Sequence, residues 1–295
     1  MRLEFAINEN ENGKMAHEVL AERMKMSRLM IKKVRLYGQL QVNGVSARMK
    51  DAVCSGDHVL ALYEDDLLPA NVRPECTIPI LYEDEWLIVC EKPAGLVTHP
   101  SWQHMDDSLI QRLSEQRLHP VMRLDRETSG LIVIAKNGFA HHVITSEPME
   151  KEYIGIVHGA FDNTSGIINE PIDRADDSIM IRIVRKDGYP SVTHYATEKY
   201  ILEKDISLVR FVLETGRCHQ IRVHSLFLGH PLVGDGLYGP SSCDFPNPSV
   251  LSASMDRLID RQALHACKLS FYHPITHAKL CFESEIPQDM KNLLT

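Results

Sequence analysis

The chain has 295 residues, 44% of them hydrophobic, and a formal net charge of −8. This is enough apolar material for one large domain, or for a small domain beside a larger one, and it excludes a polyanion binder that works by overall charge. No apolar run approaches the roughly 20 residues that cross a bilayer. Met1-Arg2-Leu3-Glu4-Phe5 lacks the basic-then-apolar pattern of a signal peptide. Seven scattered cysteines without a Cys-x-x-Cys spacing suggest neither a disulfide framework nor a zinc knuckle. A cytoplasmic chain without a membrane partner is expected.

The charge is uneven. Residues 14–50 hold nine Lys and Arg against Glu18 and Glu22. A basic block on an acidic chain suits a module that grips a polyanion, and charge alone fits a solvated helix face equally well. Val19, Leu20 and Met24 predict a helix over 15–26. Ser27 can cap a second helix that runs to Tyr37, with Gly38 as its stop. Leu29, Met30, Val34 and Leu36 would face inward and Arg28, Lys32, Lys33 and Arg35 outward. Asn43-Gly44 between Val42 and Val45 signals a tight hairpin, and 58–63 alternates like a closing strand. The order helix, helix, hairpin, with Ser27-Arg28, Lys32-Lys33, Val42-Asn43-Gly44 and Gly56-Asp57, resembles the S4 RNA-binding module. The resemblance implies that residues 1–65 bind RNA, with Arg28, Lys32 and Lys33 among the contacts.

Residues 66–77, with Asp66, Pro69, Pro74 and no periodicity, read as a linker before a larger domain over 78–295. Strands are expected over 78–82, 86–90, 153–157 and 207–213, and short helices over 108–116 and 219–228. Leu131-Ile132-Val133-Ile134-Ala135 is a continuous apolar run, as in a buried strand. The pattern is neither a regular alternation of strands and helices nor all-β. The expected class is therefore α+β, with a mixed, mainly antiparallel sheet and a small N-terminal α/β module.

The chemistry concentrates in Met122-Arg123-Leu124-Asp125-Arg126-Glu127-Thr128-Ser129-Gly130, packed directly against that buried strand. Loops seated on a rigid sheet are where catalytic groups tend to sit. A carboxylate between two arginines stays ionised near neutral pH and can serve as nucleophile or base. The bare spacing Arg-x-Asp-Arg, taken alone, favours a surface salt-bridge cluster over a catalytic site.

Arg123-Leu124-Asp125-x-x-Thr128-Ser129-Gly130 resembles the signature of the RluA family of pseudouridine synthases. Further segments resemble that family in order: Lys92-Pro93-Ala94-Gly95-Leu96, Lys151-Glu152-Tyr153, Thr215-Gly216-Arg217-Cys218-His219-Gln220-Ile221-Arg222, Gly229-His230-Pro231-Leu232-Val233-Gly234-Asp235, and Ala263-Leu264-His265-Ala266. The resemblance implies an isomerase that converts uridine to pseudouridine in structured RNA, ribosomal or transfer, across a central cleft. It implies Asp125 as the essential aspartate, Tyr153 as a ring that stacks on the target base, and Arg217 as the basic partner of Asp125. Arg123 would fill the gap left by a flipped base, and Ile221 is counted with it as an RNA contact. Neither metal nor cofactor is expected, because the reaction moves one bond within its substrate, and the protein is expected to act as a monomer. Asp125 could attack the anomeric carbon or remove a neighbouring sugar proton. Met122 stands where the family usually has histidine, and Cys218 where threonine is common. The alternatives are a non-catalytic RNA-binding or ribosome-assembly factor on the same body, and a nucleoside glycosylase.

Overall fold

The computed structural model describes residues 1–63, 78–100, 104–240 and 250–295, so the expected linker lies outside the described residues. The N-terminal part comprises β1 (Arg2–Ala6), α1 (Ala16–Glu22), α2 (Arg28–Tyr37), β2 (Gln39–Val42), β3 (Val45–Ser46) and β4 (His58–Leu62). Its antiparallel sheet has the order β1-β4-β2-β3. The local signals work as their chemistry demands. Ser27 Oγ accepts the Met30 N–H at 3.2 Å to cap α2. Asn43 and Gly44 both take positive φ, 53° and 77°, as the hairpin turn that matches strand twist requires.

Three expectations for this part need correction. The first strand, β1, was not expected: Arg2 and Glu4 dilute its apolar alternation, and its partner β4 lies more than fifty residues along the chain. Helix α1 ends at Glu22, because Lys25 turns left-handed at φ 49° and the Met26 N–H bonds back to Leu20 O. On α2 only Met30 and Val34, one turn apart, are buried, whereas Leu29 is 66% exposed and Leu36 51%.

The larger part begins with β5 (Ile80–Glu83), β6 (Leu87–Lys92), α3 (Leu109–Leu113), β7 (His119–Pro120), β8 (Ser129–Ala135), α4 (Gly138–Ser146) and β9 (Glu150–His158). It continues through β10 (Ser165–Asn169), β11 (Ile172–Arg174), β12 (Arg182–Val184), β13 (Val192–Ile201) and β14 (Ile206–Leu213). It closes with α5 (Gln220–Phe227), α6 (Val250–Asp256), β15 (Leu264–Tyr272), β16 (Lys279–Glu283) and α7 (Gln288–Leu294). The main sheet runs β10-β13-β14-β9-β15-β8-β6-β5, with β16 paired to β15 and β7 to β8, while β11 and β12 form a separate ribbon. Every pair is antiparallel except β15 with β8. The α+β class with a mainly antiparallel sheet is therefore what the chain adopts.

The parallel pair positions the site. Gly130 on β8 lies opposite Ala266 on β15, and Ala266 lies opposite Tyr153 on β9. Tyr153 is thus two strand spacings, roughly 10 Å, from the end of the Asp125 loop. Gly130 has φ +112°, and a Cβ there would fall 2.3 Å from Ala266 O, so only glycine permits this pairing.

The N-terminal part does not stand alone. Phe139 and Val143 of α4 are buried in the same apolar cluster as Leu20, Met30 and Val34. Lys25 pairs with Glu147 across the same junction. Among the described residues no helix is long and apolar enough to cross a membrane.

Candidate active site

Asp125 sits on the loop before β8. Its carbonyl accepts the Thr128 N–H at 3.1 Å, which closes a turn. Buried Thr98 holds the preceding residue from both sides: its Oγ1 donates to Leu124 O at 3.0 Å and accepts Leu124 N–H at 3.3 Å. Lys92, 1% exposed, donates to the carbonyls of Pro93, Leu96 and Arg126 at 2.7–2.9 Å, so its ammonium group ties the Lys92–Leu96 turn to the Asp125 loop. Burial pushes Lys92 down to about 7, with Asp125 and Glu127 pulling the other way. With its backbone held in this way, the loop presents a half-buried carboxylate.

The basic partner of Asp125 is Arg222, the third residue of α5. Its Nη1 donates to Asp125 Oδ2 at 3.0 Å. Its Nε and Nη2 grip both oxygens of Asp235 at 2.7 Å each. Asp235 is fully buried and also accepts the N–H groups of Leu237 and Tyr238. Burial alone would lower the affinity of Arg222 for its proton, but the two carboxylates outweigh it and hold the guanidinium charged. The outcome is a relay, Asp235–Arg222–Asp125, whose inner end is fixed and whose outer end faces the cleft. Oδ1 of Asp125 makes no hydrogen bond among the described residues.

Arg217 does not occupy the expected position. It lies in the turn before α5, exposed, with Nε donating to Pro190 O at 3.2 Å and its guanidinium 5.5 Å over the Tyr189 ring. Gln220 sets that turn, accepting from Arg217 N–H and from Thr215 Oγ1 at 2.9 Å. The helix therefore starts too late to turn Arg217 inward and carries Arg222 there instead. A signal was present in the sequence: Arg222 stands between Ile221 and Val223 on a segment that must bury its apolar face, and a buried arginine needs acids. Ile221, expected as an RNA contact, is 4% exposed and forms part of the cleft wall.

His219 belongs to the same site. It caps α5 from the left-handed region, φ 58°, and puts Nε2 3.8 Å from Asp125 Oδ2. The buried Tyr238 hydroxyl accepts the Arg182 N–H at 2.8 Å and lies 2.8 Å from His219 Nδ1. That ring nitrogen is the acceptor for the hydroxyl proton among the described residues, which leaves the imidazole proton on Nε2, facing the carboxylate. Burial lowers the pKa of His219 against the pull of Asp125, favouring this neutral donor form. His224 points elsewhere, to Thr193 Oγ1 and Glu170 O.

These groups surround one cleft. A cavity of about 490 Å³ is lined by Asp125, Tyr153, Arg123 and Arg217 together with Val97, Met122 and Cys218. A recess of about 50 Å³ shares Arg123, Asp125, Tyr153 and Arg217 and adds His219, Ile221 and Arg222. Tyr153 is 6% exposed, and burial first, then Asp125, pushes its phenol well above the usual range, so it stays protonated. Met122 lines the mouth without a polar group to offer. Arg28 and Lys32 are exposed at a second hollow, about 970 Å³, on the N-terminal part, which Arg35, Arg48 and Lys50 also line. Lys33 instead lies 5.2 Å over the Tyr63 ring.

A family model described as RNA pseudouridylate synthase matches residues 86–226, which include the Asp125 loop, Tyr153 and Arg222. The chain is 34% identical to Ribosomal large subunit pseudouridine synthase D of Escherichia coli O6:H1, over 100% of its own length and 94% of that protein. It is also 34% identical to Uncharacterized RNA pseudouridine synthase YhcT of Bacillus subtilis, over 99% and 96% of the two chains. Among solved structures, Human RNA Pseudouridylate Synthase Domain Containing 4 superposes with a TM-score of 0.57 at 26% identity, covering 73% of this chain and 91% of that one.

Proposed function

This chain belongs to the RNA pseudouridylate synthase family and is an RNA pseudouridine synthase, an intramolecular isomerase; from that premise we propose that Asp125 performs the chemistry on uridines of folded ribosomal RNA. The observation that carries the assignment is the buried Asp235–Arg222–Asp125 relay. It holds one carboxylate oxygen and leaves the other for substrate in a cleft walled by Tyr153.

The reaction breaks the bond from uracil N1 to the sugar C1′ and forms one from C5 to C1′. A proton leaves C5 and one arrives at N1, so atoms and electrons balance within the substrate. Arg222 holds Oδ2 of Asp125 and so aims the carboxylate into the cleft, where it can attack C1′ or remove an adjacent sugar proton. His219 adds a neutral donor beside the same oxygen. The detached ring must rotate without escaping, and the flat, buried face of Tyr153 with Ile221 and Leu264 gives it walls. A uridine within folded RNA must first be extruded, at about a few kcal/mol. Exposed Arg123 at the cleft mouth can enter the vacated stack and offset that cost. Large-subunit ribosomal RNA is the proposed substrate because the Escherichia coli relative aligned along the whole chain is named for it. The basic hollow lined by Arg28 and Lys32 supplies a phosphate grip away from the cleft.

The test is Asp125→Asn, which keeps size and cannot attack or accept a proton. Unmodified large-subunit transcript incubated with the variant is expected to bind and to gain no pseudouridine. Turnover near the wild-type rate would remove Asp125 from the mechanism.

A further inference from the structure

Beside the cleft lies a second, smaller pocket that the isomerisation does not use. It measures about 310 Å³ and is lined by Ile172, Asp173, Arg174, Arg182, Tyr189, Arg217 and Cys218. Arg217 and Cys218 also line the cleft, so the two hollows share a wall. We propose that this outer pocket is a subsite for the nucleotide next to the target uridine, its base stacked on Tyr189 and its phosphate held by Arg174 and Arg217. The proposal rests on the reading that RNA enters the cleft, and it names where the strand continues.

Charge supports it first. Arg174 and Arg182 are direct cross-strand partners on the β11–β12 ribbon. Like charges placed opposite one another are unfavourable in the free protein, and an anion between them relieves the repulsion. Arg182 Nη1 rests on the carbonyls of Ile179, Met180 and Ile181, and the Arg174 side chain makes no ion pair among the described residues. The acid in the pocket lining, Asp173, spends an oxygen on the Arg174 backbone N–H at 2.7 Å. Of the other acids in the ribbon segment, Asp176 and Asp187 are engaged by Arg185, and Asp177 makes no ion pair among the described residues.

The aromatic geometry supports it second. Tyr189 is 61% exposed, yet its backbone is fixed by a reciprocal pair of hydrogen bonds with Ile172, at 3.0 and 2.9 Å. A rigidly held, exposed ring with a guanidinium 5.5 Å over it is a stacking platform of the kind that serves single-stranded nucleic acid. The ribbon is anchored rather than loose. Ile172, Ile181 and Val184 pack with Val223 and Tyr238 against α5, and the Arg182 N–H reaches the Tyr238 hydroxyl that orients His219. The pocket is thereby tied to the helix that carries Arg222. A base extruded into the cleft leaves its neighbour unstacked, and Tyr189 offers that neighbour a new partner.

The probe is fluorescein-labelled heptauridylate, titrated by anisotropy against the full chain and its Tyr189→Ala, Tyr189→Phe and Arg174→Gln variants. Tyr189→Ala is expected to weaken binding about tenfold, while Tyr189→Phe, which keeps the ring, stays within about twofold of wild type. Arg174→Gln is expected to weaken binding and flatten its salt dependence. Thermal unfolding midpoints close to wild type show that the fold is kept. Equal affinities of wild type and Tyr189→Ala, or a loss as large with Phe as with Ala, would overturn the stacking subsite. The former result would fit an exposed ribbon that contacts protein instead. Failure of the underlying reading is separately visible as a wild-type chain that forms no pseudouridine in large-subunit transcript.

Discussion

Replacing Arg222 by methionine tests the relay at its centre. The change removes three charge-assisted hydrogen bonds, two of them at 2.7 Å to the fully buried Asp235 and one at 3.0 Å to Asp125. Taking one partner from a buried ion pair leaves the other charge uncompensated, which costs about 3–5 kcal/mol. For a chain of this size that lowers the unfolding midpoint by roughly 2 °C per kcal/mol, or about 6–10 °C in all. The double variant Arg222→Met/Asp235→Leu removes both buried charges and is expected to recover part of that loss. It recovers only part, because the N–H groups of Leu237 and Tyr238 then lose their acceptor. Activity should not return with stability. With Asp125 released, single-turnover pseudouridine formation at saturating RNA is expected to fall about 100-fold or more in both variants, the scale of losing a preorganised electrostatic contact. Circular dichroism melts and a tritium-release or mapping assay at a temperature where all chains are folded supply the two numbers. A single variant that melts within about 1 kcal/mol of wild type, or that turns over at the wild-type rate, would refute the claim that Arg222 holds the Asp125 carboxylate in its working position.

Three further perturbations probe other parts of the structure. Lys92 is lowered by burial to about 7 from an ordinary value of 10.5; the unfolded chain then binds more protons between those two pH values, so Lys92 makes stability rise with pH across that window. Urea midpoints of wild type minus Lys92→Met, measured from pH 6 to 10, should show that slope, and parallel curves would deny it. Gly130→Ala forces a Cβ to 2.3 Å from Ala266 O at φ +112°, and strain plus overpacking should cost about 2–6 kcal/mol in urea unfolding; an unaffected midpoint would mean the β8–β15 pairing is dispensable. In the N-terminal hollow, Arg28→Glu with Lys32→Glu should lower the salt slope of RNA binding by about 1–2 without changing the saturating rate. Charge reversal is a cleaner test than deleting residues 1–65, because deletion would bare Phe139 and Val143, whereas both reversed residues are exposed.

Much of the local structure was legible because its causes are local. Ser27 caps α2 through an oxygen three residues from its partner, and Asn43-Gly44 turns because those residues tolerate positive φ. The apolar run 131–135 is buried throughout, within a strand that begins at Ser129, so the Asp125 loop lies against the core as its sequence neighbours demand. The long strands β13 and β15 were not read as strands, since β13 mixes exposed polar residues with few apolar ones and β15 interleaves His265, Lys268 and Ser270. Their status as strands is settled by partners far away in the chain, β14 and β9.

By itself the sequence determined the fold class, the loop that bears Asp125, and the ring of Tyr153 as a candidate wall, because each rests on a contiguous pattern. Only the tertiary structure decided which arginine meets Asp125. Arg217 and Arg222 are five residues apart, and each helical residue rotates the side chain by about 100°, so the answer depends on where α5 starts and which face it buries. That start is set by Gln220 reaching back to Val192 O and Thr193 Oγ1, at 3.0 Å each, some 27 residues away. With the helix so placed, Arg222 is carried inward between Asp235 and Asp125, and Arg217 is left on the rim over Tyr189, between the cleft and the outer pocket.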